Sequence, residues 1–170
     1  MSGSAAIKTE NGTGDSWCTP FDLWAEIQTK YLMRIEAFDP CPNLDRILPG
    51  TFPTYNPQPG SLFMDGLKMS WDPFTFVNPP FSDIAPWVSH ASKQRGSVVM
   101  LLPVRSDQPW WHEYAPKALI VFIRGRVNYI DPARDKTTGA SFPSCLWVFG
   151  MEPGVEFWWP ECHKNRRAKA

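Results

Sequence analysis

Short apolar segments that alternate with amphipathic helices constrain the fold of this chain most strongly. Residues 21–31 repeat their apolar side chains at steps of three and four, which indicates a helix with one buried face. Parallel strands that are covered on both faces appear as continuous apolar runs. The alternation therefore predicts an α/β protein with a mainly parallel sheet. We expect buried strands at 74–77, 97–102, 118–123 and 145–149, and further helices at 84–95 and 108–114.

The last two buried strands are expected to run antiparallel. The segment 124–144, which joins them, shows no helical periodicity, and a parallel crossover normally contains a helix. The organised sequence begins near residue 15. We therefore expect a flexible N-terminus at 1–14, a single domain at 15–160 and a basic, solvated tail at 161–170. Shorter strands are expected at 34–38 and 61–64, with a proline-rich loop between them.

Charge and cysteine content exclude several classes of protein. Seventeen basic residues balance seventeen acidic ones, which argues against a dedicated nucleic-acid clamp but not against an enzyme that visits DNA through a local patch. The four cysteines lie far apart, without the paired spacing of zinc sites, so no metal is expected. Neither a signal peptide nor a membrane span is predicted. We therefore expect reduced thiols in a cytoplasmic protein.

Polar residues follow the predicted strands at one edge of the sheet. In a sheet of this kind, ligands bind beyond the carboxyl ends of the strands. The polar groups therefore predict a binding site at this edge. They are Asp39-Pro-Cys, Asp65-Gly, Asn78-Pro-Pro-Phe, the segment from Pro103 to Asp107, and Arg124-Gly-Arg126.

The most informative motif is Asn78-Pro79-Pro80-Phe81. Asn-Pro alone would indicate only a turn, but here a buried strand precedes it and an aromatic residue completes it. The exocyclic amino group of adenine is a poor nucleophile, because its lone pair is delocalised into the ring. The side-chain oxygen of Asn78 and the carbonyl of Pro79 are suited to accept its two hydrogens and localise that pair. Pro80 would stiffen the loop, and Phe81 offers a face for an extruded base.

The motif and its context resemble the phage-type DNA adenine methyltransferase (Dam) family. Asn-Pro-Pro-Phe after a hydrophobic strand is similar to the hallmark of amino-methyltransferases, and further matches follow in order along residues 15–150. Those matches are Asp15-Ser-Trp-Cys-Thr-Pro20, Phe38-Asp-Pro-Cys41, Asp65-Gly-Leu67, Val99-Met-Leu-Leu-Pro103, Ser106-Asp107 with Trp110-Trp-His112, Phe122-Ile-Arg-Gly-Arg126 and Phe142-Pro-Ser144.

The resemblance implies a Rossmann-like, three-layer α/β sandwich with an antiparallel last strand, acting on double-stranded DNA with S-adenosylmethionine as cofactor. It implies a cytoplasmic enzyme, in the host cell if phage-encoded, that protects DNA from restriction; a monomer or weak dimer is expected. The implied catalytic residues are Asn78, Pro79, Pro80 and Phe81. The implied cofactor-binding residues are Trp17, Thr19, Pro20, Asp39, Pro40, Cys41, Asp65 and Asn78, and the DNA-binding candidates are Arg105, Arg124 and Arg126.

Several alternatives stay open at the level of sequence. No Gly-x-Gly follows Asp39-Pro40, so the chain is also compatible with a non-catalytic relative. An amino-methyltransferase that acts on RNA or a glutamine amide is a second alternative. Arg105 is better explained as a helix cap than by DNA contact, whereas Arg124 and Arg126 are explained equally well by DNA contact and by surface ion pairs. Thr19 is expected to cap the first helix. Of Trp110 and Trp111, one is expected in the core and the other beside the site.

Overall fold

A computed structural model describes residues 17–32, 36–42, 47–53, 65–131 and 136–167. Most of the predicted elements are present in these ranges. The strand predicted at 61–64 and the N-terminus at 1–14 lie outside the described residues. The elements are α1 (Phe21–Tyr31), β1 (Ala37–Asp39), β2 (Thr51–Pro53), β3 (Phe74–Val77), α2 (Ala85–Ala91), β4 (Ser97–Pro103), α3 (Pro109–Tyr114), β5 (Leu119–Ile123), β6 (Asn128–Asp131), β7 (Lys136–Gly139), β8 (Ser144–Phe149), β9 (Gly154–Trp158) and α4 (Glu161–Arg167).

Seven of the described strands form one sheet in the order β2-β1-β3-β4-β8-β5-β9. Strand β8 runs antiparallel to both of its neighbours, and the other neighbouring pairs are parallel. The prediction of a mainly parallel sheet is therefore confirmed, as is the antiparallel arrangement of β5 and β8. The connection between these two strands contains the hairpin β6–β7 instead of a helix, so the chain returns in the opposite direction.

The prediction that the antiparallel strand comes last was wrong. Strand β9 follows it and extends the sheet parallel to β5. Its residues are mostly exposed, and Phe157 is 81% exposed. A strand at the edge of a sheet does not show the continuous apolar run that identified the buried strands, so this signal was missing from the sequence.

Helices pack on both faces of the sheet. Register places Val77, Met100 and Trp147 in one row, whereas Phe76 belongs to the next row and points to the opposite face. Helix α1 covers the face of Phe76, whose ring lies 4.7 Å from that of Trp24. Helix α3 covers the other face through Trp147, and α2 lies beside α3.

Both Trp110 and Trp111 are buried, contrary to the expectation that only one would be. They are 9% and 8% exposed, and their ring centroids lie 5.6 and 5.0 Å from that of Trp147. A large indole on the sheet is therefore able to contact two successive residues of the short helix α3.

The segment expected to be a solvated tail contains helix α4, which is tied to α1. The carboxylate of Glu26 accepts hydrogen bonds from the backbone N–H groups of Glu161 and Cys162, at 2.9 and 2.8 Å. A negative charge at a helix N-terminus is favourable, because the first backbone donors have no partner within the helix. His163 is buried against Gly125 at the carboxyl end of β5.

Gly96 is required at the turn that precedes β4. Its φ is +103°, and a Cβ there would lie 2.4 Å from the carbonyl oxygen of Pro73. We expect Gly96→Ala to lower the free energy of unfolding by roughly 2 kcal/mol or more, since both the backbone conformation and the contact become unfavourable. Urea unfolding measures the change.

Gly154→Ala is the matched control for this substitution. Gly154 has an ordinary φ, and its nearest contact to an added Cβ is Leu119 at 3.9 Å. The control should stay within about 1 kcal/mol of the parent chain. Equal stability of the two variants would contradict the packing described at Gly96.

Candidate active site

The strand order reverses between β1 and β3. From β1 the chain moves to β2 on one side, and β3 then adds to the other side of β1. In open α/β sheets the crevice at such a reversal, outside the carboxyl ends of the strands, is where ligands bind. Asp39 ends β1, and Asn78 follows β3 directly. The two motifs predicted to carry the chemistry are thus at adjacent strand ends.

Asn78 is held by a single directional hydrogen bond. Its side-chain Nδ2 donates to the backbone carbonyl of Trp17 at 2.8 Å, and the residue is 6% exposed. Only the amide nitrogen can donate to a carbonyl, so this contact fixes which way the side chain faces. The other end of the amide, Oδ1, is buried and has no hydrogen-bond partner among the described residues. A buried acceptor is therefore presented at the strand end.

The corner formed by residues 78–81 contains backbone carbonyls with and without partners. Pro79 and Pro80 lack N–H groups. The carbonyl of Pro80 accepts from the Asp83 amide at 3.3 Å, and that of Phe81 accepts from Arg105 Nη1 at 2.8 Å. Among the described residues, no donor reaches the carbonyl of Pro79. Asn78 Oδ1 and the Pro79 carbonyl are thus two neighbouring acceptors of this loop for which the described residues supply no donor.

The segment before α1 holds the Trp17 carbonyl in place. Cys18 and Ile130 form an antiparallel bridge, with N–O distances of 2.9 and 3.0 Å, which ties this segment to β6. Pro20, rather than the expected Thr19, occupies the N-cap of α1. The hydroxyl of Thr19 is consequently left buried and without a partner in the described structure. A second orphaned polar atom therefore lies in the segment that contacts Asn78.

An aromatic cluster lies beneath the corner. The ring of Phe81 meets those of Tyr129 and Phe142 edge to face, each at 5.6 Å, and Phe81 is only 6% exposed. Tyr129 also contacts the ring of Trp17 at 6.3 Å. Phe81 therefore anchors the loop by packing, and the stacking of an extruded base on it stays a prediction.

Tyr129 is a neutral member of this cluster. Its hydroxyl lies 3.2 Å from the hydroxyl of Ser144, and both residues are buried. Burial raises the pKa of Tyr129 well above its usual value, so the phenol remains protonated at physiological pH. The pair adds no charge near the corner.

The loop after β1 is braced by a glycine from a distant part of the chain. Asp39 Oδ1 accepts a hydrogen bond from the amide of Cys41 at 2.9 Å, which closes a tight turn. A Cβ on Gly66 would lie 2.2 Å from the carbonyl oxygen of Pro40. The glycine that permits close backbone approach here is therefore Gly66 and not a member of the loop itself. Sequence reasoning missed this role, because Asp65-Gly66 reads as an ordinary turn.

Asp65 is half-buried at this junction. Its Oδ1 accepts from the Leu67 amide at 3.0 Å, and its Oδ2 lies 3.4 Å from Lys68 Nζ. Asp65 therefore lies next to the loop that follows Asp39. This proximity is necessary if both residues belong to one site. The turn at Asp39 and the turn at Asp65 together shape the carboxyl end of β1.

The three arginines predicted to contact DNA have different surroundings. Arg105 is directed at the Phe81 carbonyl. Arg124 stacks on the ring of Trp159 at 4.0 Å, and Arg126 is exposed. Both follow β5, whose carboxyl end lies at the same edge as that of β3, three strand spacings or roughly 14 Å away. Their contact with DNA stays a prediction.

The described ranges contain no cluster of metal ligands, and their cysteines are reduced. No group of three or more His, Cys, Asp or Glu residues there is arranged to hold a metal ion. All four cysteines are thiols, and burial raises the pKa of Cys145 to about 12. Within the same ranges, no helix has the length and apolar character needed to cross a membrane.

A comparison with protein families identifies the chain. Residues 6–154 match the family model described as DNA N-6-adenine-methyltransferase (Dam). Nothing among curated proteins or solved structures matches significantly. The family match covers most of the chain and both strand-end motifs, which confirms the resemblance noted from the sequence. The chain therefore belongs to the DNA N-6-adenine-methyltransferase (Dam) family.

Proposed function

We propose that this protein transfers a methyl group from S-adenosylmethionine to the N6 amino group of adenine in double-stranded DNA. Family membership implies DNA adenine methylation. The observation that carries the detailed proposal is the pair of open acceptors, Asn78 Oδ1 and the Pro79 carbonyl, at the end of β3. An amino group has two hydrogens, and the corner offers one acceptor for each.

The two acceptors would activate the amino nitrogen directly. When each accepts one hydrogen, the nitrogen is drawn toward tetrahedral geometry and its lone pair is released from the ring. Because the corner is rigid and its acceptors are already desolvated, little reorganisation is needed at the moment of reaction. The nitrogen then becomes cationic and loses its proton to solvent, so no side chain is required as a general base.

The residues near β1 fit the proposed cofactor. The buried Thr19 hydroxyl has no partner among the residues that the structure describes, and the crevice at the strand reversal is of the kind that binds nucleotide-like ligands. When bound, S-adenosylmethionine supplies an electrophilic methyl group. Its proposed contacts are Trp17, Thr19, Pro20, Asp39, Pro40, Cys41, Asp65 and Asn78. Helices on both faces of the sheet are consistent with the proposed Rossmann-like methyltransferase fold.

DNA is proposed to approach the carboxyl edge of the sheet. The target adenine must leave the duplex to reach the corner, because its amino group is otherwise paired. The side chains of Arg124 and Arg126 are exposed at this edge and suited to phosphate contact. Phage origin, protection from restriction, a cytoplasmic location and a monomeric or weakly dimeric state remain part of the proposal.

Rival functions are less well supported. A non-catalytic relative has no need of a buried acceptor without a partner beside a second open carbonyl at one corner. A glutamine amide or an RNA base also carries an NH2 group, but the family match favours adenine in DNA. Radiolabelled methyl transfer to DNA, tRNA and protein, compared side by side, separates these substrates.

Removal of the first acceptor tests the corner. We expect Asn78→Ala to reduce methyl transfer to plasmid DNA by about 100-fold or more. In other enzymes, the loss of one preorganised hydrogen-bonding group that contacts the transition state has an effect of this size. Calorimetric titration with the cofactor should still show binding, weakened at most by the loss of the one proposed contact from Asn78. Near-normal turnover by this variant would refute the assignment of Asn78.

Insertion of a methyl group beneath the Asp39 loop tests the cofactor site. In Gly66→Ala the new Cβ would meet the Pro40 carbonyl, so the loop must move. We expect the affinity for S-adenosylhomocysteine to fall about tenfold or more, equivalent to roughly 1.4 kcal/mol. Gly154→Ala, which meets no close atom, serves as the control. Unchanged affinity in a folded Gly66→Ala protein would place the ligand elsewhere.

The DNA target is expected to be short or loosely defined. The described hairpin β6–β7 has strands of four residues each, which limits the base edges that it is able to read in a groove. Mapping of methylated adenines on plasmid DNA tests this expectation. A strict target of roughly six or more base pairs would contradict it.

A further inference from the structure

Arg105 joins the catalytic corner to the neighbouring strand. It lies just after β4, which is paired with β3 in parallel, so both strands end at the same edge. Its Nη1 donates to the Phe81 carbonyl at 2.8 Å, and the bond is partly buried. A hydrogen bond from a charged donor is shorter and stronger than one between neutral groups.

Only a few rotatable backbone bonds lie between the Phe81 carbonyl and the Pro79 carbonyl. The ring of Pro80 fixes φ at about −65° between them. The bond from the Asp83 amide to the Pro80 carbonyl closes a turn over residues 80–83, which includes Phe81. The orientation of the Pro79 carbonyl therefore depends on where the Phe81 carbonyl is held.

The other end of the corner has its own anchor. Asn78 Nδ2 is bonded to the Trp17 carbonyl, and this bond sets the direction of the first acceptor. The bond from Arg105 is the corresponding contact at the second end. Each open acceptor thus has one anchor, contributed in each case by a different segment of the chain.

We propose that Arg105 is a positioning residue that aims the Pro79 carbonyl by holding the Phe81 carbonyl, and that it is not a DNA-phosphate contact. The proposal rests on the function proposed above, since it assigns the second acceptor to the amino group of adenine. The bond to the Phe81 carbonyl commits Nη1 of the guanidinium group to a contact within the protein, and the experiment below decides whether its remaining donors also meet phosphate.

Steady-state methylation separates positioning from DNA contact. Arg105→Met should lower kcat about tenfold or more and leave the KM for DNA and its salt dependence unchanged. Arg105→Lys, which keeps a donor, should recover part of kcat. Loss of a phosphate contact would instead raise KM and reduce the slope of log affinity against log salt by about 0.9.

Substitutions at Arg95 and Arg124 are the controls for Arg105→Met. Arg95→Met removes the same charge from the opposite edge, beyond the seven residues of β4 and so roughly 20 Å away. It should change neither kcat nor KM. Arg124→Met removes a proposed phosphate contact and should show the shift in salt dependence that Arg105→Met lacks.

Hydrogen exchange provides a readout that does not need activity. The Asp83 amide is protected by the turn that Arg105 supports, so it should exchange faster in Arg105→Met than in the parent or Arg95→Met. Unchanged exchange, or an effect on KM and salt slope alone, would overturn the proposal. If the parent chain does not methylate DNA, the proposed function fails, whereas the exchange result still decides whether Arg105 holds the loop.

Discussion

The hydrogen bond from Asn78 Nδ2 to the Trp17 carbonyl is the contact on which the site depends. It leaves Oδ1 of the same amide buried without a partner in the described part of the chain, and an unsatisfied buried acceptor costs about 1–3 kcal/mol. The surrounding fold must offset that cost, because nothing in the corner itself does so. An acceptor maintained in this state is ready to bind a donor without first losing water, which is the property that activation of a weakly nucleophilic amino group requires.

The corner is rigid because parts of the chain that are far apart in sequence support it. The segment that begins at Trp17 is fastened to β6 by the bridge between Cys18 and Ile130. Aromatic rings from β6 and from the approach to β8 pack under Phe81. Arg105 reaches the loop from the end of β4. The hairpin β6–β7, inserted where a crossover helix would otherwise stand, therefore serves both the topology of the sheet and the site.

The buried strands and the strand-end motifs were predictable, because continuous apolar runs and Asn-Pro-Pro-Phe are local signals. Strand β9, which contains Phe157, was not predictable, since an exposed edge has no such run. The Gly66–Pro40 approach and the bond from Arg105 to Phe81 join residues that only the folded sheet brings together. Local capping rules favoured Thr19 as an N-cap, whereas the structure gives that position to Pro20 and leaves the hydroxyl buried without a partner among the described residues.

A crystal structure of the protein with duplex DNA and a non-reactive cofactor analogue tests the central claim most directly. The account predicts that the amino nitrogen of an extruded adenine lies about 2.8–3.2 Å from both Asn78 Oδ1 and the Pro79 carbonyl oxygen. It also predicts that the bond from Asn78 to Trp17 persists in the complex. An amino group bound to neither oxygen, or an Asn78 side chain rotated so that Oδ1 faces the protein interior, would contradict it.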